Sequence, residues 1–277
     1  MPEFLFGTVG APISTPAKPG GSVGAIRRLA ELGLSALELG WVQAVRVTEA
    51  TCAAIQAESQ AQEIAVSVHA PYFINLNASD EEWPKSRQRL MDAAHYGYLA
   101  GATDIIFHPG SYFGADPEAV LSVAIPRLAG CVEELRAAGD SVTLRPETMG
   151  KSAMLGSLDD TLKMSEQIPG VLPCLDFAHL HARTGDGSVN SYDEFAHILQ
   201  VYAHSLGDTA LQKLHIHLSG IEYSAKGEKN HLPIRDSDFQ ITALFKALRA
   251  YNCGGRILCE SPAMEEDALY MKEIYPV

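Results

Sequence analysis

DIIFHPGSY, residues 104–112, decides the fold. Ile105, Ile106 and Phe107 form a continuous apolar run, then His108 arrives, then Pro109-Gly110 ends the segment. A short run without alternation is what a strand buried on both faces requires, and Pro-Gly stops it. The histidine is therefore delivered to the end of a buried strand. The same grammar recurs along the chain. VSVHAPY carries His69, VTLRPETMG carries Glu147, and VLPCLDFAHLH carries Asp176 and His179. KLHIHLSG carries His217, and RILCES carries Glu260. Six successive runs ending in His, Asp or Glu would line the C-terminal mouth of a parallel barrel with metal-ligating groups.

Working outward, strands are expected at Phe4–Thr8, Ala36–Leu39, Ile64–His69, Asp104–His108, Ser141–Glu147, Val171–Asp176, Lys213–Leu218 and Arg256–Glu260. Helices are expected between them, near Ser22–Leu32, Thr48–Ala61, Trp83–Ala100, Pro117–Ala138, Ser157–Ile168, Tyr192–Leu206, Asp238–Tyr251 and Glu265–Ile274. Asp116 before Pro117 and Ser191 before Tyr192 are helix N-caps, and Gly33 and Gly101 follow helices where a left-handed cap is useful. Strict alternation of this kind predicts an α/β fold, a single (β/α)8 TIM barrel spanning residues 1–277, a chain length that such a barrel fills as one unit. A doubly wound open sheet is the competing architecture. It lacks support, since no GxGxxG follows the first strand and the donors spread over six strands rather than one switch point. Two loops on the donor-bearing face are long, Ala70–Glu82 and Ser219–Ser237, and long loops there bind substrate.

The five cysteines, Cys52, Cys131, Cys174, Cys253 and Cys259, are never closely paired and read as buried thiols of a reducing compartment. The N-terminus has neither a basic flank nor a long apolar stretch, so a cytoplasmic protein without a membrane partner is expected. No nucleotide cofactor is expected, and a monomer is. Lys+Arg 21 against Asp+Glu 34 gives a net charge of −13, which excludes a general nucleic-acid coat but not an enzyme with a local cationic site.

Imidazole and carboxylate together suit Zn2+, with Mn2+ or Fe2+ as alternatives. The donors outnumber the needs of one tetrahedral ion, so two or three ions sharing a carboxylate are expected. Clustered ions are the usual machinery of in-line attack on a phosphodiester. A lone histidine in an apolar strand is more often a hydrogen-bonded core residue, and it is the ordered set that raises each member. His215 shares a face with His217, and either could be the ligand. His181 reads as a partner of a ligand or a surface residue. His95, His197 and His204 sit in helices, away from the chemistry.

HAPYFINL, FHPGSY, LRPETMG, LDFAHLHA, HIHLSG and LCESP, spread from Val66 to Pro262, together resemble the successive motifs of the endonuclease IV family of abasic-site endonucleases. The resemblance implies a xylose-isomerase-like barrel and three zinc ions. It implies a first metal on His69, His108 and Glu147. Glu147 would bridge to a second, completed by Asp176, His217 and Glu260, and His179 and His231 would hold a third. It also implies a DNA-repair activity, with abasic duplex DNA as partner, in which the phosphodiester 5′ to the lesion is cut to leave a 3′-hydroxyl. Glu147 and Glu260 would be the catalytic carboxylates. Tyr72 matches a loop position that enters DNA at the lesion.

The match breaks once. The family's third metal takes an Asp-x-His pair, whereas this chain has Lys229-Asn230-His231, with Glu228 the adjacent carboxylate. Lys229 is expected to point away from the ion, toward a DNA phosphate. Lys226 and Arg235 are further phosphate candidates. Trp41 and Arg46, in GWVQAVRV, are DNA-contact candidates on chemistry alone. The competing functions are a metal-dependent sugar isomerase or epimerase of the same superfamily, which the acidic balance favours, and a metal-binding protein without activity.

Overall fold

An unalternating run of Ile, Val, Leu or Phe must bury both faces, and in the computed structural model, which describes residues 3–275, each run finds cover on both sides. The strands are β1 (Phe4–Val9), β2 (Ala36–Gly40), β3 (Ala65–His69), β4 (Asp104–Phe107), β5 (Thr143–Pro146), β6 (Cys174–Asp176), β7 (Leu214–Leu218), β8 (Gly220–Ser224), β9 (Gly227–Leu232) and β10 (Gly255–Cys259). All except β8 and β9 pair in parallel, in the order β5-β4-β3-β2-β1-β10-β7-β6. The ends of that order meet through the parallel bridges Leu144–Val171 and Glu147–Cys174, and the sheet closes into an eight-stranded barrel.

The helices are α1 (Gly21–Glu31), α2 (Glu49–Ala61), α3 (Trp83–Leu99), α4 (Pro117–Ala138), α5 (Leu158–Gln167), α6 (Phe177–Ala182), α7 (Tyr192–Leu206), α8 (Ile241–Ala250) and α9 (Glu265–Ile274). Asp116 caps α4 by accepting from the Glu118 and Ala119 amides, and Ser191 caps α7 through the Glu194 amide. Gly33 (φ 71°) and Gly101 (φ 80°) take the left-handed conformation that ends α1 and α3.

Two features depart from the expected alternation. The Ser219–Ser237 segment is not a plain loop, because β8 and β9 pair there as an antiparallel hairpin. The short helix α6 follows β6 without a loop, since the Asp176 carboxylate accepts from the His179 amide and caps it at once. Trp41 is a correction: it is 9% exposed and belongs to the hydrophobic core, so it offers no surface to DNA.

The barrel interior is unusually polar. At its N-terminal end the buried Asp104 pairs with Arg145 and Arg256. Arg145 also donates to the carbonyls of Pro173 and Lys213, which plugs that mouth. Higher up, Glu38 on β2 meets His215 on β7. Two strands, β1 and β10, separate β2 from β7 in the sheet, so this contact crosses the interior.

Candidate metal centre

His69 is the last residue of β3, Asp176 the last of β6, and His217 lies in β7; His108, Glu147 and Glu260 each follow directly on β4, β5 and β10. Because the strands are parallel, all six arrive at one mouth. The extended backbone delivers each donor, and the turn behind it, such as Pro109-Gly110, lets the chain leave again.

Glu147 is the hub and is fully buried. Its Oε2 lies 3.2 Å from His69 Nε2 and 3.3 Å from His108 Nε2. Its Oε1 faces His179 Nδ1 at 3.3 Å and His217 Nδ1 at 3.5 Å. His217 Nδ1 is also 3.4 Å from Glu260 Oε1. His179 Nε2 lies 3.2 Å from His231 Nε2 and 3.6 Å from Glu228 Oε2. Among the described residues the donors form three contiguous groups, His69, His108 and Glu147; Glu147, Asp176, His217 and Glu260; and Asp176, His179 and His231; a fourth group joins Cys174, His215 and His217. His69, His108, His179, His231 and Glu260 line a cavity of about 380 Å³, which Tyr72 and Glu228 also line.

The ring orientations are set from behind. His69 Nδ1–H donates to the Ala70 carbonyl at 2.9 Å, His179 Nδ1–H to the Thr148 carbonyl at 3.0 Å, and His231 Nδ1–H to the Glu260 carbonyl at 3.2 Å. Each bond leaves Nε2 for the centre. Asp176 divides its oxygens: Oδ1 caps α6, while Oδ2 has no partner.

A cation fits this arrangement on one observation. Glu147 Oε1, Asp176 Oδ2 and His217 Nδ1 are buried side-chain atoms without a hydrogen-bond partner, and all three belong to the middle group. Buried polar atoms without partners are costly, and a divalent ion between them would satisfy all three at once. His and carboxylate donors in this mixture suit a borderline ion such as Zn2+.

The charges in the metal-free site are consistent with that reading. Burial works against charge on Glu147, yet His108 and the other rings hold its carboxyl well below the usual range. Burial also opposes charge on His69, but Glu147 outweighs it and raises the ring to about 9. Burial raises Asp176 to about 7; Glu260 and Glu147 add to the rise, and His179 opposes it. Cations would neutralise the same carboxylates and compete with these protons.

Other sequence candidates find different places. Lys229 pairs with Glu222 at 2.6 Å, turned from the centre but engaged by a carboxylate. The Arg235 guanidinium lies over the Tyr270 ring at 4.1 Å, and Lys226 and Arg46 are exposed. The Tyr72 ring stacks on His108 with centroids 4.9 Å apart and meets His69 edge-on, remaining 47% exposed at the rim. His181 is held outside the groups, between the Ser188 carbonyl and Asp238. His215 lies deeper than His217, its Nε2 on Glu38 at 2.9 Å, and burial takes it down to about 4 despite that partner. Sequence reasoning missed Glu38. Its signal was available, since a carboxylate in the middle of ALELG contradicts an otherwise apolar run.

A closed parallel barrel with histidines and carboxylates converging at its C-terminal mouth defines a class of α/β barrels equipped to hold metal ions. The model of the xylose isomerase-like TIM barrel family matches residues 26–274, and the chain belongs to that family. An uncharacterized protein of Methanocaldococcus jannaschii is 37% identical over 273 residues, covering 98% of this chain and 97% of its own. A protein of Geobacillus sp. described as "Probable endonuclease 4" is 29% identical over 160 residues, 54% of this chain and 50% of that protein, so this similarity spans about half of each. Among solved structures, endonuclease IV from Thermus thermophilus superposes with a TM-score of 0.70 at 21% identity, covering 97% of both chains. A D-tagatose 3-epimerase-like protein superposes at 0.71 with 17% identity, covering 96% of this chain and 95% of that one. These likenesses show the fold, which both chemistries share. No helix among the described residues is long and apolar enough to cross a membrane.

Proposed function

We propose that this protein is a metal-dependent phosphodiesterase of the endonuclease IV type, cutting DNA 5′ to abasic sites. The observation that carries the reading is the hub geometry of Glu147, which has donors on both oxygens and belongs to two of three adjoining groups. Two or three Zn2+ ions bound there would supply a nucleophile from water at neutral pH and neutralise charge on the phosphodiester oxygens. Glu147 spaces the first two groups, and Glu260, at the cavity edge, is placed to take the proton of the attacking water. The P–O bond to the departing 3′-oxygen then breaks, and that oxygen takes a proton from solvent and leaves as a hydroxyl. Tyr72, exposed above His108, supplies a flat ring beside the scissile bond for the space left by a missing base. Exposed Phe73 extends the same rim, and the Arg89 guanidinium lies 5.9 Å from its ring centre.

The second reading, a sugar epimerase or isomerase, is favoured by the small cavity and by the net charge of −13, which suits an uncharged substrate. Three bound ions would take the formal sum to −13 + 6 = −7 with the gain at the site, which eases but does not remove the repulsion of DNA.

The test is incubation of zinc-loaded protein with a duplex carrying one abasic site, with ketohexoses in parallel. The expected result is a single nick 5′ to the lesion with a 3′-hydroxyl end. Sugar turnover with intact DNA would overturn the proposal in favour of the second reading.

A further inference from the structure

Three histidines of the centre are oriented by backbone carbonyls, through Nδ1, and present Nε2. Of the remaining two, His108 presents Nε2 to Glu147, and His217 is arranged differently. Its Nδ1 is the nitrogen that faces Glu147 and Glu260, at 3.5 and 3.4 Å. Behind its Nε2, at 3.1 Å, stands Oε1 of Glu38. Where His69, His179 and His231 have a carbonyl behind them, His217 has a carboxylate.

Glu38 is itself fixed on every side. Its Oε2 accepts from Ser67 Oγ at 2.8 Å and from His215 Nε2 at 2.9 Å. Both residues are buried, and so is Glu38. Its remaining oxygen, Oε1, makes no hydrogen bond, and neither does His217 Nε2; the two atoms meet as an ion-pair contact at 3.1 Å. The barrel thus contains a chain running from Ser67 and His215 through Glu38 to His217, each member approaching from a different strand except the two histidines of β7.

We propose that Glu38 is the positioning residue of the centre: it holds the proton of the neutral His217 ring on Nε2 and so turns Nδ1 toward Glu147, Asp176 and Glu260. This rests on the metal-centre reading above. A carboxylate behind a ligating imidazole fixes its tautomer and increases its basicity. Glutamine is a poorer replacement. A carboxylate accepts on both oxygens, whereas an amide accepts on one and donates on the other. With its NH2 toward His217 a glutamine opposes that ring's N–H, and with its NH2 toward His215 it forces that ring, whose Nδ1 has no partner, into the other tautomer. Glu38 is fully buried and does not line the cavity.

The test compares the wild-type protein with Glu38→Gln by nitrogen-detected NMR of the histidine rings and by metal titration. In zinc-loaded wild type, His217 is expected to carry its proton on Nε2 and a metal-bound signal on Nδ1. Glu38→Gln is expected to lower zinc affinity at the Glu147–Asp176–His217–Glu260 group about 10- to 100-fold, the range for such outer-sphere partners, with the His69–His108 group unchanged. A wild-type His217 protonated on Nδ1, or a Glu38→Gln protein with wild-type affinity and tautomer, would overturn the proposal. If wild type takes up no zinc, the metal-centre reading fails separately. The neutral-ring tautomer of the metal-free protein at alkaline pH still decides for or against Glu38, as it does if Glu38→Gln does not fold.

Discussion

Glu228 and His231 stand three residues apart on β9 and yet face the same cavity. In a regular strand residues three apart point to opposite faces. Here the β8–β9 ladder pairs Glu222 with Asn230 and Tyr223 with Glu228, leaving Lys229 as the extra residue of a bulge. The bulge restores the two side chains to one face and expels Lys229 to the surface, against Glu222. Room for the carboxylate comes from Gly150, where a Cβ would lie 2.7 Å from both Cβ and Oε2 of Glu228 and 3.1 Å from His179 Cδ2.

A first prediction follows from that packing. Glu228→Ala and Gly150→Ala should each lower occupancy at the His179–His231 ion and spare the other two. Anomalous scattering at graded zinc concentrations reads this directly. Full and equal occupancy of three ions in both variants would remove Glu228 from the centre.

Glu147→Gln keeps the shape of the hub and removes its charge. Because Glu147 belongs to two groups, zinc content should fall by at least one ion per chain. Nicking of abasic DNA should fall by more than about 100-fold, beyond the range of an outer-sphere partner. Elemental analysis alongside nicking rates checks both, and an unchanged zinc content would count against a shared carboxylate.

The pH dependence of the metal-free protein has a definite sign. His69 is raised from 6.5 to about 9, so its stabilising pairing is fully present below 6.5 and is lost as pH rises through about 9. Asp176 is raised from 3.8 to about 7, so the native state also prefers its proton, and that contribution is lost as pH rises through about 7. Thermal midpoints in chelator should fall steadily from about pH 6 to pH 9, while the increment added by zinc should grow, because the metal competes with those same protons. A zinc increment that shrinks with rising pH would show that these groups are not the ligands.

Tyr72→Ala should weaken binding to abasic duplex by roughly 1–3 kcal/mol, the scale of a stacked ring, and leave binding to intact duplex unchanged. Competition binding with the two duplexes at one salt concentration is the measurement. Equal losses on both would make Tyr72 a packing partner of His108 alone.

Away from the site, Asp104→Asn should cost about 3–5 kcal/mol, since it leaves the buried Arg145 without its counter-charge. Denaturant unfolding of the metal-free protein measures it, and a loss under about 1 kcal/mol, the scale of an exposed pair, would mean water reaches that end of the barrel.

The sequence by itself determined the barrel and named the candidate donors that the barrel brings to one mouth. A strand buried on both faces leaves a local signature, as Ile105–Phe107 shows, and in a parallel barrel every strand's C-terminal residue reaches the same mouth. His69, His108, Glu147, Asp176, His217 and Glu260 could therefore be read from their places at the ends of runs. What only the tertiary structure decided are relationships between distant segments. His215 meets Glu38, 177 residues away in sequence, while His217 on the same strand faces Glu147 and Glu260. The reach of Glu228 depends on a one-residue slip in a hairpin and on the missing side chain of Gly150. Trp41 follows a strand end just as the donors do, yet its ring turns into the core. Periodicity reports which face a residue occupies within its own element; the partner on the far side of the barrel is fixed by closure of the sheet, which no local pattern encodes.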